Sequence, residues 1–249
     1  MKVLKRVFAS FWKVYVILLT VGMLLLLYPF YYVFLNQEKH FKKGFHLMRF
    51  HAWFILTFAG IFPTIIRESK VKIDAPYIIC PNHTSYLDIL LLYLIFPKYF
   101  IFMGKQELGS VPIFNIFFKK MNILVDRKSV TGSVRALGRA SEEVDKGRKV
   151  VIFPEGTIPP SAPKMKPFKN GPFKLAIEKQ IPIVPVTFIN NWKFLQDGAF
   201  FKRNGRPGRP KMIVHEPIQT KGLSETDLVN LKKQVHSTIQ NTLDSYESK

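Results

Sequence analysis

The sequence predicts an α/β protein: a mostly parallel sheet flanked by helices, preceded by an N-terminal two-helix membrane hairpin. Three observations carry this. From about residue 67 onward, short apolar runs of strand length alternate with helix-length segments, the pattern of a sheet whose crossovers are helices. Apolar residues crowd the first 66 positions. The polar motifs each follow or enter one of the short apolar runs, where the loops of an open α/β sheet converge on a ligand.

The N-terminal segment comes first. Val14 to Leu35 contains no charged residue, and about twenty such residues cross a bilayer as a helix. Lys2, Lys5 and Arg6 precede it as they would a signal peptide. The run is too long for that, and no small-x-small cleavage pattern follows. A second apolar stretch, His51 to Ile66, is shorter and is broken by Pro63. Basic residues flank every apolar end: Lys2, Lys5 and Arg6 before, Lys39, Lys42, Lys43 and Arg49 between, Arg67, Lys70 and Lys72 after. Two full spans would concentrate positive charge on one side of the membrane. A hairpin dipping into one leaflet, with all flanks at anionic headgroups, fits better. Phe11, Trp12, Tyr28, Tyr31, Tyr32 and Trp53 suit an interface. The chain is therefore divided into membrane-anchoring helices, 1–66, and an α/β domain, 67–249.

Beyond the anchor, Tyr77–Cys80 reads as a strand, with Pro76 tolerated just before its first residue. Tyr86–Phe96 reads as a buried helix, apolar nearly all round. Strands follow at Tyr99–Met103 and Ile123–Val125, with a helix between them at Ile113–Lys120. Thr131–Lys146 is helical, with Gly147 as its stop. Lys149–Phe153, Ile183–Phe188 and Met212–Val214 are strands, and Phe173–Lys179 is a short helix. The stretch from Lys202 to Pro210 reads as a surface loop. The last helix starts at Ser224, with Asp227 three residues on as an N-cap signature, and runs to about Tyr246.

Composition narrows the function. The 249 residues carry 37 Lys and Arg against 17 Asp and Glu, a net charge of +20. That excess calls for an anionic partner. The apolar N-terminus and the lack of a nucleic-acid motif point to anionic membrane lipids or a polyanionic substrate rather than nucleic acid. The lone Cys80 permits no intrachain disulfide and, inside an apolar run, reads as a small core residue. No His, Cys and carboxylate set has metal-ligand spacing, so neither a metal nor a cofactor is expected.

Four motifs can carry chemistry. Asn82-His83-Thr84-Ser85-Tyr86-Leu87-Asp88 leaves a strand and opens a helix. A carboxylate one turn from a histidine can hold one ring nitrogen while the other takes a proton. Read alone, the segment is also an ordinary helix start, with Ser85 as cap and Asp88 in the first turn. No Gly-x-Ser-x-Gly elbow supplies a serine nucleophile, so a His83–Asp88 pair would deprotonate a substrate hydroxyl. Phe153-Pro154-Glu155-Gly156-Thr157 leaves another strand, and Gly156 permits close backbone approach; alone, it is a turn. In Val125-Asp126-Arg127-Lys128, Arg127 is either a phosphate ligand or part of a surface turn. Ile181-Pro182-Ile183-Val184-Pro185-Val186 is a proline-framed strand. Lys105, Lys164, Lys166 and Lys169 are the nearby basic residues. Together the four loops compose a site for an anionic substrate that carries a hydroxyl.

The first two motifs resemble the His-x-x-x-x-Asp and Phe-Pro-Glu-Gly-Thr signatures of the glycerolipid acyltransferases, the family of the 1-acyl-sn-glycerol-3-phosphate acyltransferases. VDRK and IPIVPV stand in the order and spacing of its second and fourth blocks. The resemblance covers about residues 70–190. It implies His83 as general base, Asp88 as its orienting carboxylate, Glu155, Gly156 and Thr157 as acceptor-positioning residues, Arg127 as phosphate ligand, and Lys105 as a further basic contact. It also implies a lysophospholipid acceptor, acyl-CoA or acyl carrier protein as donor, and residence on the cytoplasmic membrane with the catalytic domain facing the cytoplasm. One departure stands out. The family commonly continues with Arg and Ser after the Thr, whereas Ile158 and Pro159 stand here, which leaves room for another acceptor such as lyso-ornithine lipid.

Overall fold

A computed structural model describes residues 2–68, 75–198, 201 and 203–247; Lys70, Lys72 and Lys202 lie outside them. Helix α1 (Lys2–Asn36) is joined by a 3-10 turn at Glu38–His40 to α2 (Phe41–Phe58). The two pack antiparallel: Trp12 Nε1 donates to Ala59 O at one end, and Tyr31 meets His51 nearer the other. Next come β1 (Thr64–Arg67), β2 (Ile78–Pro81), α3 (Leu87–Ile95), β3 (Phe100–Lys105), α4 (Ile116–Lys119), β4 (Ile123–Val125), α5 (Val130–Asp145), β5 (Lys149–Val151), α6 (Gly171–Lys179), β6 (Ile183–Phe188), β7 (Lys211–Val214) and α7 (Leu228–Glu247).

The strands form one sheet in the order β1-β7-β6-β2-β5-β3-β4. Every pairing is parallel except β6 with β7. Strands covered on both faces are apolar throughout, and β2 and β6 are buried at every position. Alternation then sorts their side chains between two layers. Ile79, Val151, Val184 and Val186 join the core built with α1–α4. Ile78, Cys80, Val150 and Ile183 join the core built with α5–α7. Cys80 is fully buried, as a core residue, and burial pushes its thiol pKa up.

Four sequence expectations need adjustment. The second apolar stretch does not run helically from His51 to Ile66. Its helix starts earlier, at Phe41, and ends at Phe58. Gly60 then takes φ +72, Pro63 has no N–H with which to continue a helix, and Thr64-Ile65-Ile66-Arg67 pairs in parallel with β7. The expected division at residue 66 thus falls inside β1. The Ile113–Lys120 helix shrinks to Ile116–Lys119 because Ile113 sits at φ +67, outside helical space. The strand from Lys149 ends at Val151, since Pro154 and the turn around Gly156 take over. The loop before β7 is only partly on the surface: Gly205 and Pro210 are buried, and Lys13 Nζ of α1 donates to Arg203 O at 2.8 Å.

Candidate active site

β2 delivers His83 to the carboxyl edge of the sheet, and the turn into α3 brings Asp88 back beneath it. Asp88 is fully buried, and its Oδ2 lies 2.9 Å from His83 Nδ1. The same oxygen accepts from Thr84 N at 2.6 Å and Ser85 N at 2.9 Å. A carboxylate that accepts from so many donors needs a proton on His83 Nδ1, which leaves Nε2 with the lone pair. The imidazole stacks on Phe153, with ring centroids 4.0 Å apart and planes 24° apart. Carboxylate and phenyl together hold the ring in one orientation, and 11% of the histidine side chain stays exposed. Ser85 Oγ accepts from Leu87 N at 3.1 Å, but the N-cap of α3 falls at Tyr86, one residue past the Ser85 the sequence suggested.

β5 supplies the second motif. Glu155 is buried at 3% exposure and does not point freely into solvent. Its Oε1 accepts from His83 N at 2.7 Å and its Oε2 from Lys166 N at 2.8 Å. It therefore ties the histidine loop to the 155–169 loop. Burial, the leading cause, pushes its pKa up to about 7 against those two hydrogen bonds. Gly156 adopts φ +74, natural to glycine, and a β-carbon there would meet Lys169 Cε at 3.0 Å. Thr157 is exposed beside it, while Ile158 and Pro159 turn inward and are buried.

β4 supplies the third. Arg127 is half-buried, and its guanidinium donates to Gly156 O. Burial lowers its pKa, with Glu107 opposing. Lys105, at the end of β3, is exposed and pairs with Glu107 at 3.1 Å. Lys105, Arg127, Glu155, Gly156 and Thr157 line one pocket of about 390 Å³, together with Lys166, Pro167 and Lys169. Lys164 is not among its lining residues. Glu155 joins this pocket to the dyad, since its carboxylate lines the one and bonds the backbone of the other. The fourth motif, β6, stays structural: Asn82 bonds both the N–H and the carbonyl of Phe188, at 2.7 and 3.1 Å.

A larger opening of about 610 Å³ lies toward the other end of the sheet, around Glu68, His215 and Gln234. Its histidine has both ring nitrogens engaged, Nδ1 by Glu68 at 3.0 Å and Nε2 by Thr187 at 2.7 Å, so it offers no free base. Sequence reasoning missed what Asn82 and Phe153 do, although each opens its motif: Asn82 ties the histidine loop to Phe188 of β6, and Phe153 is the ring platform. It missed Asn191 altogether, whose Nδ2 lies 2.7 Å from Asp88 Oδ1.

Comparison with known proteins gives this geometry a family. The chain is 33% identical over 189 residues to the 1-acyl-sn-glycerol-3-phosphate acyltransferase of Saccharomyces cerevisiae, covering 74% of this chain and 60% of that one. It is 28% identical over 206 residues to the protein of the same name from Borreliella burgdorferi, covering 82% and 80%. Against three further curated relatives it spans 64%, 54% and 48% of their length. The crystal structure of the 1-acyl-sn-glycerophosphate acyltransferase PlsC from Thermotoga maritima matches in fold, with a TM-score of 0.72 over 96% of this chain and 98% of that one at 24% identity. The Acyltransferase family itself matches residues 63–189. That match begins at the edge of β1, ends just after β6 and encloses all four motifs, and by it the chain belongs to the acyltransferase family.

Proposed function

We propose that the protein transfers a fatty-acyl group from a thioester donor, acyl-CoA or acyl carrier protein, to the sn-2 hydroxyl of lysophosphatidate, forming phosphatidate for phospholipid synthesis. The observation that carries this reading is a histidine held at Nδ1 by a buried carboxylate and linked through Glu155 to a cation-lined pocket. His83 Nε2 takes the hydroxyl proton as the oxygen attacks the thioester carbonyl. A backbone N–H of the motif loops stabilises the oxyanion. As the carbonyl re-forms, the C–S bond breaks and the imidazolium returns its proton to the departing thiolate. Asp88 stabilises that imidazolium. Arg127 and Lys105, with Lys166 and Lys169, receive the acceptor's phosphate, and the Glu155-Gly156-Thr157 turn sets its distance from the base.

The same proposal places residues 1–66 as a membrane anchor for a catalytic domain on the cytoplasmic face of the cytoplasmic membrane. Among the described helices, one stretch, Leu4–Asn36, is long and apolar enough to cross a bilayer. Its most apolar window is only 28% buried, whereas the core helix of a water-soluble fold would hide most of it. Phe11, Leu18, Leu26 and Phe30 of α1 and Trp53 of α2 are exposed. With basic residues at every apolar end, this supports a hairpin held in one leaflet on anionic lipids. Cleavage at the 37–40 turn between the two helices, in sealed vesicles, only from the side opposite the catalytic domain would overturn that topology.

The reaction is tested by following labelled acyl transfer to lysophosphatidate in detergent, with each donor in turn, for the wild type and His83→Ala. Loss of transfer in the variant, with membrane binding kept, supports the base. Equal rates in both refute it. Burial of Ile158 and Pro159 directly after Thr157 favours a second reading, an acceptor with a different headgroup such as lyso-ornithine lipid. A panel of lyso-lipid acceptors separates the two.

A further inference from the structure

We propose that Asn191, 103 positions along the chain from Asp88, is a positioning residue that sets the rotation of the Asp88 carboxylate and, through it, the His83 ring; the inference rests on the base role given to His83 above. The three close donors on Oδ2 come from residues 83–85 of the same loop. The torsion that rotates a carboxylate is broad and two-fold, so anchoring one oxygen leaves the plane free to swing. Among the described residues, Oδ1 is reached by Asn191 Nδ2 at 2.7 Å, and otherwise only by Thr84 Oγ1 at a long 3.5 Å. Asn191 is thus the second anchor, and the carboxylate plane it fixes decides the line along which Oδ2 meets Nδ1–H.

The chemistry of the pair sets the amide orientation. A carboxylate only accepts, so the amide must turn its NH2 toward Asp88. Asn191 Oδ1 is then left buried with no hydrogen-bond partner among the described residues, an arrangement that buried polar groups rarely adopt. A residue present only for loop shape brings no such penalty. The local turn needs just the backbone of Asn191, whose carbonyl accepts from Phe194 N and Leu195 N. The same turn grips the histidine loop again where Ser85 Oγ donates to Leu195 O at 2.6 Å, which holds Asn191 at a fixed reach from Asp88.

The test is steady-state acyl transfer by the full-length protein in detergent, with the acceptor the wild type uses, for Asn191→Leu, Asp88→Asn and the double variant, beside His83→Ala. The expected result is a roughly 10- to 100-fold fall in kcat for Asn191→Leu, the scale of a misplaced catalytic group, with KM for both substrates within about twofold of wild type. In the Asp88→Asn background the same change should cost less than about threefold, because there is no longer a carboxylate to orient. If Asn191→Leu does not fold, Asn191→Ala adds no volume and carries the same reading. Wild-type kcat in the folded variant, or the full loss repeated on Asp88→Asn, overturns the proposal while leaving the base intact. An active His83→Ala overturns the base, and the positioning role with it.

Discussion

Glu155 accepts two backbone N–H groups from separate segments while nearly sealed from water. Its folded-state pKa, about 7, stands above the ordinary 4.5. Folding therefore favours the protonated form. The stability this contributes is complete below about pH 4.5 and lost as pH rises through about 7, a span on the order of 3 kcal/mol at 1.36 kcal/mol per unit. Wild type should accordingly lose melting temperature from pH 5 to 8 relative to Glu155→Gln, which cannot ionise. A constant difference between the two melting curves across that range would show that the carboxylate is not desolvated as described. At Phe153 the expectation concerns rate. Phe153→Ala removes the platform under the imidazole and should cut kcat roughly 10- to 100-fold with little change in KM, read in the same transfer assay. The His83–Asp88 contact was legible in the sequence because residue type and a five-residue spacing bring the two together across one helix start. Asn191 was not, because a contact between residues 88 and 191 exists only once β6 lies beside β2.

At the scale of elements, the junction from α2 into β1 turns on Gly60. Its φ is +72, and a β-carbon there would lie 2.8 Å from Pro207 Cβ. Left-handed backbone costs a non-glycine residue roughly 1–2 kcal/mol, and the contact adds to it. Gly60→Ala should lower the melting temperature in detergent, while Asn191 and the dyad stay assembled and kcat per folded molecule is kept. An unchanged melting temperature would mean the junction relaxes freely. The start of α5 is a smaller case: Ser129 Oγ accepts from Gly132 N at 3.1 Å. Ser129→Ala should cost about 1 kcal/mol, measurable by denaturant titration. Pro63 signalled a break, but not what would follow it. Only the fold decides that Thr64-Ile65-Ile66 becomes the sheet's edge strand, paired in parallel with β7.

For the whole molecule, the two N-terminal helices and the sheet layer are not separable pieces. Tyr31 and Leu35 of α1 and Phe45, Ile55 and Leu56 of α2 share one buried cluster with Ile79, Val151 and Val186 of the sheet. Lys13 and Trp12 fasten α1 to Arg203 O and Ala59 O as well. Deleting residues 1–36 should therefore expose a core face instead of releasing a water-soluble enzyme. Size-exclusion and circular dichroism of that deletion in detergent should report aggregation or loss of cooperative melting. A monodisperse, cooperatively melting product would show that the sheet carries its own core.

Composition, periodicity and short-range motifs were enough to determine the alternating α/β class, the long apolar N-terminal helix, the strands that end at each motif, and the His83–Asp88 pair five residues apart. Each of these follows from neighbours along the chain, where a 2- or 3.6-residue period sets which side chains meet. Only the tertiary structure decided that β1 joins the sheet, that the second helix ends at Phe58, that Glu155 braces two loops and that Asn191 reaches Asp88. Those outcomes depend on which strands pair and which loops the pairing brings together, and no local period encodes that.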